Sequence, residues 1–503
     1  MNLKNLICVV CVVGACGLST TAPEAAEIAA ADLHNAASPV RRDQRAGADA
    51  ESNLRSKLIT GTQLTSHFMK SHSAGLIMRP LGSARSLLAL TVNATLGLLK
   101  DTALDLFFFP ALGKDEPAAT GAEAMNLAEW EQHLDEITDT KQTSGTINIL
   151  IDGEAFFDRL ITQIAESRKS IEIYTYIFDN DDYAIEIGGM LKERSADIAV
   201  DIYVDGIGTL GGGMIKSASL PKDFVAPASI KAHLEADSNV NFYMRDNTWF
   251  MGDHTKAFVF DDKVAFLGGM NVGREYRYDW HDMMVELSGP VVQELDNEVE
   301  KTAIDHKLGD LAVLTSGNRG GSSSQPSKAG ESALRLLHTK PHDAQIYRAQ
   351  VAAIQRSQSY ILIENAYLAD DLIIYELAKA RQRGVDVRVI VPARPDSGLM
   401  DRSNILAINR LVRHGVKVYL YPGMTHVKAA IYDGWACFGT ANFDKLSFKV
   451  NKEVNIGTSD PRVVAALQQQ LFGPDLAISQ EVLEEQPTNL TDHVYEKIVD
   501  IAL

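Results

Sequence analysis

The sequence predicts an α/β protein made of two related sandwich lobes that meet around one active site, and three observations carry that prediction. The spacing H-x-K-x-x-x-x-D occurs twice, as His254, Lys256 and Asp261 and again as His426, Lys428 and Asp433. With 13 His in 503 residues, chance gives on the order of 0.05 such matches per chain, so two of them point to an internal duplication. Each copy also runs into the same kind of segment. Val264-Ala265-Phe266-Leu267-Gly268-Gly269-Met270-Asn271 answers Trp435-Ala436-Cys437-Phe438-Gly439-Thr440-Ala441-Asn442, an apolar β-type run ending in small residues and an Asn. Finally, strand-like and helix-like stretches alternate through both halves, the pattern of a sheet covered by helices.

Taken in order, the first half reads as INILI, a helix from Glu154 to about Arg168, SIEIYTYIF, a helix through Glu186 to Arg194, and IAVDIYVDG. The second half repeats the scheme with YILIENAYL, a helix Asp371 to Arg383, VDVRVIVP, a helix Arg402 to His414, and VKVYLYPG. Lobes are expected over 146–307 and 332–503, joined by a linker at 308–331 whose SGNRGGSSSQPSKAGES is rich in Gly and Ser. Gly206-Ile207-Gly208-Thr209-Leu210-Gly211 matches G-x-G-x-x-G after a strand. Dinucleotide binding needs a helix to open there, and the chain goes on with more Gly and an early Pro, so a loop at the rim of the site is expected and no cofactor.

Ahead of the lobes, residues 1–22 read as an export signal: one Lys, an apolar run Leu6 to Val13, then Gly14-Ala15-Cys16. The run is shorter than the roughly 20 apolar residues a spanning helix needs. Cys16 is expected to carry lipid, as in bacterial lipoproteins, with simple cleavage near Ala22 or Ala26 as the alternative. Residues 23–145 are expected to hold a polar tether followed by a helical region. In it, Ser83 to Gly113 is apolar and helix-like, but only 14 residues separate Arg85 from Lys100, about 21 Å of helix against a hydrocarbon core of about 30 Å. Packing against the catalytic body is expected of it, and an interfacial position is the alternative. Once Cys8, Cys11 and Cys16 are set aside, only Cys437 remains, so neither a disulfide framework nor a Cys metal site can be built.

The paired motifs, each followed by a Gly-rich turn and an Asn, resemble those of the phospholipase D superfamily. DGEAFFDRL, NVGREY, ENAYLADD, GVDVRVIVP and GTANFDKLSFKVNKE resemble its cardiolipin synthase-like branch, from about Ile147 to about Asp475. His254 and Lys256 share a strand face, as do His426 and Lys428. Brought together, the pairs surround a phosphate with two imidazoles and two ammonium groups. The Lys side chains neutralise the non-bridging oxygens, with Asn271, Asn442 and Thr440 as further donors, while one His attacks phosphorus and the other protonates the leaving alkoxide. The resemblance implies a covalent phosphohistidine, no metal, His254 as nucleophile and His426 as general acid, then base.

Asp261 and Asp433 complete the motifs and count among the expected catalytic residues, although Asp261 lies about 17 Å along an extended strand from Lys256, at a turn that it is expected to fix instead of touching phosphate. Asp282 and Glu453 follow His254 and His426 by 28 and 27 residues, and the family places a carboxylate there. The expectation is that Asp282 orients His254 and Glu453 orients His426. Asp253, directly before His254, and Leu446, before Ser447, depart from the family pattern. His281 beside Asp282 is expected to be structural rather than a metal ligand.

The implied partners are a phospholipid of the phosphatidylglycerol, phosphatidylethanolamine or cardiolipin class and a membrane surface of the cell envelope. A single chain supplies both motifs. With 48 Lys and Arg against 66 Asp and Glu, net charge −18, nucleic acid is disfavoured as a substrate. A secreted phosphodiesterase or nuclease and a non-catalytic envelope lipid-binding lipoprotein are the alternatives.

Overall fold

The computed structural model describes residues 61–73, 76–77, 80–112, 123–212, 217–247, 251–308, 330–396 and 398–489. The export signal, Cys16, the tether and nearly all of the 308–331 linker lie outside them.

Strands of the first lobe are β1 (Thr143–Ile151), β2 (Ser170–Thr175), β3 (Ala199–Asp205), β4 (Asn241–Arg245), β5 (Ala257–Phe260), β6 (Val264–Gly268) and β7 (Met283–Ser288). The second lobe holds β8 (Ser332–Lys340), the two-residue β9 (Asp343–Ala344), β10 (Tyr360–Asn365), β11 (Asp386–Pro392), β12 (Lys417–Tyr421), β13 (Lys428–Tyr432), β14 (Trp435–Gly439), β15 (Glu453–Thr458) and β16 (Gln480–Glu481). From one edge to the other the order is β4-β3-β2-β5-β6-β7-β1-β8-β15-β14-β13-β10-β11-β12, with β16 added beyond β12. That order is palindromic about the β1–β8 seam, where Thr143 pairs with Leu334 and Gly145 with Ser332. The duplication in the sequence is therefore a pseudo-twofold in space, and the two lobes share one continuous sheet.

Period-2 alternation explains why the sheet is covered on both faces. Along β5, Phe258 and Phe260 pack under the outer helices of the first lobe while Val259 faces a core shared by both lobes. Along β13, Ala430 and Tyr432 face the outer helices and Ala429 and Ile431 the shared core. The four predicted helices are found at Asp152–Glu166, Asp182–Arg194, Asp371–Gln382 and Gly398–Arg413. A further helix, Leu127–Thr138, is capped by Asn126 and seats Trp130 edge-on against Trp435.

One expectation fails: Gly206–Gly212 is a short helix, not a loop. Its first amides are already engaged by the chain itself, Ile207 by Asn247 Oδ1 and Gly208 by Asp205 Oδ1. The glycines serve close approach, since a Cβ on Gly208 would lie 2.6 Å from the Tyr176 carbonyl oxygen.

The motif Asp residues each hold a turn of the scaffold. Asp261 adopts positive φ at the turn after β5 and accepts from the amides of Arg168, Lys169 and Ser170 at the start of β2. Asp433 does the same after β13 for Gln358, Ser359 and Tyr360, and also holds the Met125 amide. Each clamps the start of one strand to the end of its neighbour. Because leaving buried amides unpaired costs about 1–3 kcal/mol, Asp433→Ala is expected to lower stability by about 2–3 kcal/mol in urea denaturation. Turnover per folded molecule should stay within a few fold of the parent.

Candidate active site

His254 and His426 sit just before β5 and β13, at the ends of the strands that face the other lobe. Two short bridges bring them there, pairing Asp253 with Lys452 and His281 with Thr425 across the pseudo-twofold. Within them the His254 amide donates to the Lys452 carbonyl (2.9 Å) and the His426 amide to the His281 carbonyl (2.7 Å). Each histidine backbone is thus stitched to the residue immediately before a carboxylate of the opposite lobe.

The carboxylates are therefore crossed, and the expected pairing is wrong. Nδ1 of His254 lies 2.9 Å from Glu453 Oε1, and Nδ1 of His426 lies 2.7 Å from Asp282 Oδ2. Within one lobe the strand following each histidine and the strand following the carboxylate are separated by a third strand, roughly 10 Å at the usual strand spacing, too far for a hydrogen bond. Only the other lobe can place a carboxylate in contact. With Nδ1–H donated to the carboxylate, each imidazole keeps its Nε2 lone pair for the cleft.

Both lysines turn back beneath the histidines, Lys256 Nζ donating to the His254 carbonyl (2.9 Å) and Lys428 Nζ to the His426 carbonyl (2.6 Å). All six residues are buried, and burial governs their protonation. It lowers Lys256 to about 7 and Lys428 to about 8, and raises Glu453 to about 8 and Asp282 to about 7. Burial and then the two neighbouring ammonium groups hold both imidazoles well below their ordinary value. The Lys428 charge acts on His254 and that of Lys256 on His426, so the two motifs share one electrostatic site. An anion between the ammonium groups relieves this penalty, which makes the cleft receptive to phosphate.

The two buried imidazole–ammonium pairs share one electrostatic site, as the duplicated motif implies, while their carboxylate supports come from the opposite lobes. The sequence agrees with the family described as "Cardiolipin synthase, PLD-like domain" over residues 160–303 and 351–472. The chain belongs to this family. Cardiolipin synthase A of Pseudomonas fluorescens is 29% identical over 366 residues, 68% of this chain and 70% of that protein. Cardiolipin synthase B of Escherichia coli is 26% identical over 353 residues, 67% of this chain and 82% of that protein. The fold is also that of a phosphatidylserine synthase from Haemophilus influenzae, with a TM-score of 0.55 at 13% identity over 73% of this chain and 96% of that one.

In this cardiolipin synthase-like site, two of the three residues expected on phosphate are engaged elsewhere. Asn271 Oδ1 accepts from the Thr175 hydroxyl and the Ile177 amide, while its Nδ2 donates to Tyr276 Oη. The Thr440 hydroxyl donates to Glu453 and accepts from the Val454 amide, so it braces the carboxylate of His254. Its counterpart Gly269 clears space instead, because a Cβ there would lie 2.1 Å from Asp282 Oδ1. Asn442 differs from both, its buried Oδ1 having no hydrogen-bond partner. The unusual Asp253 is neutralised by Arg245, with which it forms a buried ion pair, and its amide donates to Asp205.

Sequence reasoning missed the aromatic walls. Tyr176 stands edge-on to His254 at 4.9 Å between ring centroids, and Trp280 and Tyr276 flank His426 at 5.3 and 5.8 Å. Tyr276 and Trp280 lie in the YRY and DWHD stretch just before Asp282, a cluster of rings that was the available signal.

Two side-chain groups have the spacing of a cation site among the described residues: His281, Glu364 and Asp475, and Asp179, Asp181 and Glu275. In the first, His281 Nδ1 lies 2.6 Å from Asp152 and Nε2 3.1 Å from Asp475. Burial opposes its charge, but the two carboxylates outweigh burial and raise it to about 10. Hydrogen bonds to Asp152 and Asp475 occupy both ring nitrogens of His281 and tie the two lobes together at this junction.

Proposed function

We propose that the protein transfers a phosphatidyl group from one phospholipid to the hydroxyl of another, making cardiolipin from two phosphatidylglycerol molecules with release of glycerol. The observation that carries the reading is the crossed pair of imidazoles, each with its Nδ1 on a buried carboxylate of the opposite lobe and each under the charge of both lysines. Family membership supports a lipid phosphodiester over other phosphodiesters, since the named relatives are cardiolipin synthases.

In the proposed first step, the Nε2 lone pair of His254 forms a bond to phosphorus as the bond to the glycerol oxygen breaks, and His426 gives that oxygen its proton. The result is a phosphatidyl-histidine and free glycerol. In the second step, His426 takes the proton of an incoming lipid hydroxyl, whose oxygen attacks phosphorus and releases His254. Atoms and charge balance without a redox partner. His254 is neutral in the empty cleft, as a nucleophile must be. Arrival of the phosphodiester anion favours a proton on His426, and the Asp282 carboxylate behind it stabilises the imidazolium. Tyr176, Trp280 and Tyr276 line the imidazoles with apolar surface, which disfavours water as acceptor. Export and lipidation of Cys16 belong to the same reading and would place the enzyme on an envelope membrane.

Purified protein given labelled phosphatidylglycerol in mixed micelles is expected to yield cardiolipin and glycerol. Phosphatidic acid as the sole product would replace the transferase reading with hydrolysis. Cleavage of DNA without lipid turnover would overturn it in favour of a nuclease.

A further inference from the structure

Resting on the reading of a phospholipid substrate, we propose that the helix Pro80–Ala103 and its continuation to Leu112 form an interfacial foot that lies in the surface of a lipid bilayer and seats the cleft on it. The face turned outward carries Leu88, Val92, Leu96, Leu99, Leu106 and Phe107, between 41% and 69% exposed. Their spacing puts them on one stripe, roughly 28 Å long. Soluble proteins rarely leave a stripe of this size bare.

The amphipathicity is the reverse of what water would select. The charged side chains described in this segment face the protein: Asp101 pairs with Lys445 (2.8 Å), Asp105 with Arg410 (2.9 Å), and Lys100 donates to Tyr347 Oη (3.2 Å). Leu104 and Phe109 join the core of the second lobe, Phe109 standing edge-on to Tyr375. Outward, none of the described side chains between Leu81 and Leu99 is charged. Two exposed hydroxyls are satisfied within the helix, Thr91 donating to the Leu87 carbonyl and Thr95 to that of Thr91. A helix face with apolar side chains and self-satisfied hydroxyls suits hydrocarbon. No described helix is long and apolar enough to cross a membrane, so the geometry favours lying along the surface with one face buried about 5–10 Å.

Placement ties the stripe to the chemistry. Lys445, which receives Asp101, is three residues past Asn442. In residues 61–73, which precede the foot in the chain, His67 contacts Asn247 Oδ1 (3.0 Å), whose Nδ2 donates to Asp205, the acceptor of the Asp253 amide beside His254. Residues 61–73 thus touch a support of the site in the first lobe, and the foot touches the second lobe beside Asn442. Between residues 61–73 and the first lobe is a cavity of 540 Å³ lined in part by His67, Lys70, Leu210 and Met244.

The test compares the full chain with Leu88→Glu/Leu96→Glu, two exposed positions whose change leaves the core untouched. Hydrogen exchange is followed by mass spectrometry with and without phosphatidylethanolamine–phosphatidylglycerol vesicles. The expected result is that vesicles slow exchange at least tenfold in peptides covering 80–108 of the parent and not of the variant. The variant should also lose at least tenfold of turnover on vesicles while keeping turnover of a monomeric short-chain phosphatidylglycerol. Equal exchange with and without vesicles would overturn the foot. So would protection that grows with protein concentration in the absence of lipid, which would make the stripe a contact between copies. A His254→Ala chain, dead in turnover, should show the same protection as the parent, so a failure of the proposed reaction and a failure of the foot are read separately.

Discussion

Removing the His254 imidazole is expected to abolish phosphatidyl transfer, with a loss of at least about 10³-fold in kcat for His254→Ala, because the reaction needs one imidazole to bond phosphorus and a second to move the proton. The two imidazoles are geometrically alike, so loss of activity alone would not assign their roles. Covalent capture does. With His254 as nucleophile, His426→Ala should still form the phosphatidyl-enzyme from an activated substrate whose leaving group needs no proton, and should release it slowly. Acid-stable quenching is unsuitable for a phosphoramidate, so rapid alkaline quench and peptide mass spectrometry should find the added mass on the peptide containing His254. Added mass on the His426 peptide in the His254→Ala chain would reverse the assignment. The fold would stand either way, since the pseudo-twofold permits both.

The second large effect concerns the crossed carboxylates. Glu453→Gln and Asp282→Asn preserve shape but favour the wrong imidazole tautomer, and each is expected to reduce kcat by about 10²–10⁴-fold with KM changed much less. The diagnostic is the pattern of coupling. Glu453→Gln combined with His254→Ala should cost little more than His254→Ala alone, and Asp282→Asn should behave in the same way with His426→Ala. In assays sensitive enough to follow residual turnover, non-additivity between Asp282 and His254 in place of these pairs would restore same-lobe support and contradict the 2.9 and 2.7 Å contacts.

Those contacts mark where the sequence stops being legible. The duplicated motif identified the lobes, the twofold and both imidazole–ammonium pairs, because a repeated spacing survives folding unchanged. The turn role of Asp261 was also readable, since a four-residue strand, Ala257–Phe260, separates it from Lys256. Spacings of 28 and 27 residues identified Asp282 and Glu453 but could not say which histidine each would meet. Symmetric spacing fits same-lobe and cross-lobe pairing equally, and the choice is made by the intervening strands β6 and β14 and by the bridges at Lys452 and His281. Gly206–Gly212 was misread because its glycines suggested a loop. Their function is to let Gly208 pass close to Tyr176, a long-range contact with no local signature. Thr440 was placed on phosphate because its position beside the motif is visible, whereas its hydroxyl contact with Glu453 is not.

The exchange of carboxylates between lobes also bears on descent. Neither half, cut away from the other, would hold a correctly oriented imidazole, so a primitive single-motif version of this scaffold would have had to work as a homodimer. Fusion of two such genes then fixes the stoichiometry at one of each, and the former sister copies become free to specialise. Gly269 opposite Thr440, and Asp282 opposite Glu453, are places where that divergence has already been written into the chain.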